Sequence, residues 1–433
     1  MTTLLKSLLG ACALSTLSIA AFAETTLTIP TVNNGPLIEM QKLSDDFTKA
    51  NPDIKLNFVI LEENVIRQKT TTDVATKGGQ FDVVTIGPYE APIWGKKGWL
   101  VPLTKIDDPD DLLPAIRSGL TVDGKLYASP FYGESSMVMY RTDLMEKAGL
   151  KMPDAPTWTF IREAADKMTD KANGVYGVCL RGKAGWGENM AFLTATSNSF
   201  GARWFDMDWK PQFDQPEWKA TLDYYLSLMK ADGPPGASSN GFNENLALFN
   251  AGKCGMWIDA TVAASFVTGK DSKVADKVGF ALAPDNGLGK RGNWLWAWSL
   301  AIPAGSQKTE AAEKFVNWAT SKEYAALVAS KEGWPNVPPG TRKSLYANAE
   351  YAKVPFAKMT LESINSADPT HPTVKPVPYV GVQFVAIPEF SGFATEVAQD
   401  FAAALAGTIS EDDALKKAQA TTEAAMKKAG YIK

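Results

Sequence analysis

The first hundred residues alternate between two hydrophobic periodicities, and this alternation constrains the fold more than any other feature of the chain. Thr26 to Val32 reads as a strand. Pro36 opens a helix with Leu37, Met40, Leu43 and Phe47 at helical spacing, and Ile54, Leu56, Phe58 and Ile60 alternate as a second strand. A charged helical stretch from Glu63 to Lys77 is stopped by Gly78-Gly79, and Phe81 to Ile86 is the continuous apolar run of a buried strand. The βαβαβ pattern predicts an α/β fold whose parallel strands bind ligands in the crevice outside their carboxyl ends. Those ends deliver Asn33 and Asn34, then Glu62, Glu63 and Asn64, then Gly87-Pro88-Tyr89-Glu90, all polar or aromatic groups suited to hydroxyl recognition. None of these loops carries GxGxxG or GxxxxGK[ST], so the crevice lacks the glycine-rich loop that cradles phosphate, and nucleotide binding is disfavoured.

Composition removes other classes. The single histidine, His371, rules out a multi-histidine metal site or an HExxH protease, and no cofactor or metal is expected. With 44 Lys plus Arg against 48 Asp plus Glu and no basic run, no nucleic-acid partner is expected. At the N-terminus, Lys6, the apolar stretch Leu8 to Ala21 and the small-x-small Ala21-Phe22-Ala23 make residues 1–23 a secretory signal peptide, which predicts a periplasmic protein. Leu9-Gly10-Ala11-Cys12 has a lipobox look, but the apolar run before it is too short and the run after it too long. No later segment has the roughly 18 to 20 apolar residues of a membrane span. Maturation leaves Cys179 and Cys254. In an oxidising compartment they either form a disulfide or stay inert on adjacent buried strands.

Further along, Asp123-Gly124-Lys125 is a turn, and strands from Leu126 to Pro130 and Met137 to Tyr140 flank Phe131-Tyr132-Gly133-Glu134-Ser135. A chain that passes between lobes there puts Glu134 at the hinge. Helices are expected near 156–170, 188–200, 216–231 and 243–251, then over Thr309–Ser321 and Lys322–Ser330. Ser410 with Asp413 three residues on forms a capping box that starts a last helix ended by Gly430.

Three groups of residues could carry chemistry. Trp294, Trp296 and Trp298 alternate, so in a strand they project from one face; they either fill a core or line a cleft as platforms for C–H faces. Trp334 sits in a turn-like Gly333-Trp334-Pro335-Asn336, while Trp94, Trp99 and Trp318 fit core roles. The segment Arg181-Gly-Lys-Ala-Gly-Trp-Gly-Glu-Asn189 offers a fork donor in Arg181, a platform in Trp186 and an amide in Asn189, with glycines that let the backbone approach a ligand; the alternative is a mobile surface loop. Asp259, at the end of the strand Met256-Trp257-Ile258, either accepts hydroxyl hydrogen bonds or caps the next helix. Glu134 paired with Asp259 or Glu63 would suit a glycosidase, but nothing in the sequence sets their separation or makes their pKa values unequal.

The export signal, the opening βαβαβ, Glu134-Ser135 before Met139-Tyr-Arg-Thr-Asp-Leu144, Phe249-Asn-Ala-Gly-Lys253 before a strand, and Ala403-Ala-Leu-Ala-Gly407 before the capped last helix resemble family 1 of the extracellular solute-binding proteins of bacterial ABC transporters. Cys179 to Asn189 and Asn293-Trp-Leu-Trp-Ala-Trp298 resemble more particularly its sorbitol/mannitol-binding branch. The resemblance implies a two-lobed periplasmic-binding fold of type II, with residues 24–133 and 299–333 in the N-lobe and 134–298 and 334–433 in the C-lobe. Crossings would fall near Tyr132–Ser135, Trp298–Leu300 and Lys331–Asn336. It also implies a non-enzymatic, monomeric binder of linear polyols that delivers them to a membrane permease. Ligand contacts would come from Asn33, Asn34, Glu63, Tyr89, Glu134, Arg181, Trp186, Asp259 and one or more of Trp294, Trp296, Trp298 and Trp334, with Phe393 doubtful as a platform. The competing readings are a cyclic mono- or disaccharide ligand and a secreted glycoside hydrolase.

Overall fold

The computed structural model describes residues 24–433. The expected signal peptide and Cys12 lie outside the described residues. Among the described residues no helix is long and apolar enough to cross a membrane.

The opening pattern folds as the periodicity predicts. Thr25–Val32 pairs in parallel with Ile54–Leu61, and helices Gly35–Leu43 and Glu63–Thr76 follow the two strands. The third strand is shorter than its apolar run, spanning only Val84–Ile86. The carboxylate of Asp73 takes up the amides of Gln80 and Phe81, so the run enters the sheet late. The first strand runs beside the third without a regular ladder, and Pro30 lies at their approach. It has no N–H to donate, and the hydroxyl of Thr85 instead donates to the Pro30 carbonyl at 2.9 Å. Trp296–Ala301 pairs antiparallel with both Val84–Ile86 and Ser129–Glu134, which completes the N-lobe sheet.

The chain then changes lobe within one residue. Glu134 ends the Ser129–Glu134 strand and Ser136 begins Ser136–Arg141, which lies in the second sheet between Val278–Leu282 and Cys254–Ala260, with Tyr176–Cys179 outside the latter. Ser135 itself is wholly buried. Its hydroxyl donates to the Trp294 carbonyl at 2.6 Å and accepts from Asn293 at 3.0 Å, and its carbonyl accepts from the Thr261 amide at 2.8 Å.

The other two changes of lobe are displaced from the expected positions. Trp296 to Trp298 hydrogen-bond into the N-lobe sheet opposite Glu134 and Tyr132, so this crossing precedes Trp296 rather than following Trp298. Residues beyond Asn336 also stay on the N-lobe. The Arg342 guanidinium donates to the carbonyls of Asp107 and Thr320 at 2.7 and 2.8 Å, and Gly133 donates to Pro339. By Phe356, which stacks edge-on with Phe280 at 5.8 Å, the chain has reached the C-lobe.

The expected helices are present as Trp158–Met168, Asn189–Ser199, Pro216–Asp232, Phe242–Asn250, Thr309–Ala319 and Lys322–Glu332. The last, Glu411–Ala429, starts on Ser410, whose hydroxyl accepts from the Asp413 amide, and ends at Gly430. Aromatic packing fills both lobes. Phe47, Phe315 and Trp318 cluster at 5.4 to 5.9 Å in one, and Trp94 packs on Trp99 nearby. Phe393 lies 5.6 Å from Trp204 and 5.5 Å from Phe390 in the C-lobe core, so it packs the interior rather than offering a platform. His371 is exposed beside Asp368.

Cys179 and Cys254 are joined by a disulfide, with Cα atoms 5.9 Å apart and 75 residues of separation. Closing a loop of that length constrains the unfolded chain by about 4 kcal/mol on an entropic account. Protein lacking residues 1–23 should therefore show no free thiol when denatured without reductant, and Cys179→Ser should lower the melting temperature by several degrees. A full titre of two thiols would remove the bond.

Candidate functional site

The two sheets point their strand ends at a common cleft. Cross-strand pairing explains why the alternating tryptophans reach it: Trp296 is opposite Glu134 and Trp298 opposite Tyr132, and directly opposed residues of an antiparallel pair project from the same face. Trp294 precedes the strand and joins them, so all three line the cleft although each is buried. Gly87 lets them pack. A Cβ there would lie 2.0 Å from the Trp296 ring.

Two arginines organise the cleft. Arg181 is 6% exposed and binds Asp259 through Nε at 2.9 Å and a terminal nitrogen at 2.7 Å, and its other terminal nitrogen reaches the Gly187 carbonyl at 3.1 Å and Glu188 at 3.3 Å. Arg67, from the opposite lobe, holds Glu63 at 2.8 Å and Glu90 at 2.8 Å. Its guanidinium lies 4.1 Å from the Trp186 ring, 5.0 Å from Trp296 and 4.7 Å from Trp298, a cation–π cage that fixes the charge with its remaining N–H groups free. The cleft around them is bounded by Asn33, Asn34, Glu63, Tyr132, Glu134, Arg181 and Glu188 on one side and by Trp186, Trp294, Trp296, Trp298 and Gln383 on the other. Guanidinium donors beside carboxylate acceptors suit a hydroxyl, which can accept from one and donate to the other.

Three of the sequence-derived contacts do other work. Asp259 is wholly buried, and its two oxygens are taken by Arg181, the Trp257 indole N–H at 3.1 Å and the Ala260 amide at 2.7 Å. It positions Arg181, borders neither half of the cleft, and does not cap the following helix with its side chain. The Tyr89 hydroxyl is engaged by the carbonyls of Ile387 and Pro388 at 3.1 and 3.3 Å and by the Ser391 amide at 3.2 Å, so it is not offered to the cleft. Trp334 lies on the far side of the N-lobe beside Phe131, Tyr324 and Arg342. Asn34 borders the cleft while acting as a cap: its oxygen accepts from the Leu37 amide and its nitrogen donates to the Tyr132 hydroxyl at 2.8 Å. Asn189 is spent on the Ala398 carbonyl at 2.9 Å.

Gly185 and Gly187 of the 181–189 segment admit the opposite lobe rather than a ligand, while Gly182 packs against Ala237 and Leu405 of its own lobe. A Cβ on Gly187 would stand 2.3 Å from a Glu63 oxygen, and Asn64 crosses to the Ala184 carbonyl at 3.2 Å. Lys183 bridges to Glu62, and Asn243 donates to the Asn33 carbonyl at 3.1 Å. These contacts hold the lobes together at the mouth. Glu62 was among the strand-end groups that the sequence delivers to the crevice, whereas Arg67, Lys183, Glu188, Tyr132 and Gln383 were not given ligand roles by the sequence reading. The spacing of Glu63 and Arg67, four apart on one helix, is a visible signal for the arginine; nothing local marks Gln383, which is 88 positions from the Leu295 backbone it pairs with.

The family-level comparison agrees with this geometry. A model of the bacterial extracellular solute-binding proteins matches residues 34–326. The chain belongs to that family. A mannitol-binding protein of Pseudomonas aeruginosa is 56% identical over 433 residues, covering 99% of each chain. An ABC transporter solute-binding protein of Agrobacterium vitis, solved with bound D-mannitol, is 76% identical with a TM-score of 0.93, covering 94% of this chain and 100% of its own. A ribitol complex from Agrobacterium radiobacter, 24% identical with a TM-score of 0.81 over 93% of this chain and 99% of that one, shows the fold alone. Members of the family are ligand-binding transport proteins, and this solute-binding protein is not an enzyme; its fold is the type II two-lobed one.

Burial sets the protonation of the cleft. It pushes the Glu134 carboxyl up to about 8 against the partial relief of Arg181, and it raises Glu188 and Glu90 as well. Such groups keep protons in the folded state that the unfolded chain releases, so their contribution to stability is present below the ordinary carboxyl range and is lost as pH rises towards 8. The ligand-free protein should melt at a lower temperature at pH 8.5 than at pH 5.5. Glu134→Gln should flatten that slope, raising the melting temperature at pH 8.5 with little effect at pH 5.5. Parallel profiles for the two proteins would contradict the assignment.

Proposed function

We propose that this solute-binding protein is the periplasmic receptor of an ABC importer, that it encloses a linear polyol of the mannitol, sorbitol or arabitol class between its lobes, and that it presents the closed form to a membrane permease. The observation that carries the reading is the small cleft, buried at its inner end, in which two fixed guanidinium groups alternate with carboxyl groups under indole rings. A polyol has no charge and no ring, and each hydroxyl needs a partner once water is excluded. The D-mannitol complex of the 76% identical protein supports the same ligand class.

The lobes would move about the Ser135 crossing, with the ligand acting through its higher affinity for the closed state. The pairing of both guanidinium groups also predicts selectivity against anions. Asp259 and Glu188 already hold Arg181, and Glu63 and Glu90 already hold Arg67, so a sugar phosphate would find both guanidinium groups paired and no phosphate cradle to offset its desolvation.

Thermal-shift titration of the purified protein tests this. D-Mannitol, sorbitol or arabitol at about a thousandfold excess over Kd should stabilise by about 4 kcal/mol. Mannitol 1-phosphate and glucose should not. Glu134→Ala should fold and weaken polyol binding by about tenfold or more, the cost of one hydrogen bond to a charged or strongly polarised partner. Stabilisation by maltose alone would replace the polyol reading with a disaccharide one, and sustained hydrolysis of an oligosaccharide would replace it with a glycosidase.

A further inference from the structure

A second, much larger cavity lies beside the polyol cleft. It measures about 760 Å³, against about 60 and 40 Å³ for the two halves of the cleft, and its walls are mainly apolar. Pro88, Ile93 and Ile116 form its N-lobe side, and Val382, Phe384 and Ile387 its C-lobe side. What separates the two spaces is a pair of rings. Tyr89 stands 4.9 Å from Trp186 and 5.7 Å from Phe384, and Phe384 stands 6.0 Å from Trp296. Trp186 and Trp296 line the polar cleft, whereas Phe384 and the residue preceding Tyr89 line the apolar chamber.

The partition is held on both sides. Tyr89 belongs to the N-lobe, but its hydroxyl is fastened to the C-lobe backbone at Ile387, Pro388 and Ser391, and burial pushes its acidity away to about 12, so it remains a donor at any physiological pH. Phe384 follows Gln383, whose side-chain amide pairs with the Leu295 carbonyl at 2.8 Å and amide at 3.3 Å, in the manner of an extra strand residue.

We propose that Tyr89 and Phe384 set the maximum length of the ligand: they stop the polar cleft at one end, so the protein accepts an unsubstituted polyol and rejects one extended there, and opening the partition joins cleft and chamber into one site for a polyol with an apolar substituent. This rests on the polyol reading above. Selectivity then comes from a steric stop backed by apolar surface, which a charged or hydroxylated extension could not enter without losing its hydrogen bonds.

The test pairs D-mannitol with 1-O-benzyl-D-mannitol. The two ends of D-mannitol are equivalent, so one substituted isomer probes either orientation, and its phenyl group matches the ring that Phe384→Ala removes. Isothermal titration of the wild type should show mannitol binding and benzyl-mannitol weaker by about a hundredfold or more. Phe384→Ala should bind benzyl-mannitol at least about tenfold more tightly than the wild type does, with its mannitol affinity changed far less. Phe384→Leu, which keeps the segment packed, should give the same ordering with a smaller gain and serves if the alanine variant does not fold. A variant that binds mannitol but discriminates as the wild type does would overturn the partition alone. A wild type that binds benzyl-mannitol as tightly as mannitol would do the same. A wild type that binds no polyol would overturn both readings.

Discussion

The two lobes are tied together at Ser135. One residue separates a strand of the first sheet from a strand of the second, and its hydroxyl, amide and carbonyl all bond to the other segments that run past it, at Asn293, Trp294 and Thr261. A buried serine satisfied in this way keeps the segments that pass between the lobes together at one point. Everything in the cleft is measured from that point. Glu134 and Tyr132 lie on the strand just before it, and Trp296 and Trp298 on the strand paired with them. The cleft's aromatic wall and its buried carboxylate are thus carried by one short ladder.

Arg181 and Arg67 supply the polarity of the cleft without depending on a ligand to hold them. Each is paired on its own lobe, Arg181 with the carboxylate of Asp259 and the carboxyl of Glu188, and Arg67 with Glu63 and Glu90. Taking such charges out of water is costly unless they are paired and hydrogen-bonded, and the pairing also fixes each guanidinium plane. A binding site built this way loses little side-chain entropy when a ligand arrives. The same desolvation keeps protons on carboxyls that would otherwise be ionised, which couples the stability of the empty protein to pH.

The contacts that join the lobes differ at the two ends of the cleft. At the mouth they are polar and partly exposed, with Lys183 on Glu62 and Asn243 on the Asn33 carbonyl. At the inner end they are aromatic and buried, with Tyr89 reaching across to the 384–391 segment. Water competes for the first kind and not for the second. The mouth is therefore the end suited to opening, and the inner end is the end suited to limiting what fits.

The α/β class is legible along the chain, because parallel strands with crossover helices write their periodicities locally: Leu37, Met40 and Phe47 mark a helix, and Ile54, Leu56 and Phe58 a strand, whatever surrounds them. The same local pattern shows that Asn33, Asn34 and Glu63 stand at strand ends and that three tryptophans share a face. Tertiary structure decided what each group is used for. Asp259 and Tyr89 have the right chemistry and position for ligand contacts, yet their hydrogen-bonding capacity is taken up by Arg181 and Trp257 in one case and by Ile387 and Ser391 in the other. Gln383, which does border the cleft, depends on a backbone partner that folding alone brings near, and Arg67 has one local partner in Glu63 but owes Glu90 and its three indole neighbours to the fold. Trp334 and the changes of lobe moved for the same reason: Arg342 holds residues after Asn336 to the carbonyls of Asp107 and Thr320, contacts across more than 20 positions that no local pattern encodes. Residue type fixes what a side chain can bond to, but only the packed chain fixes which of those bonds are already made.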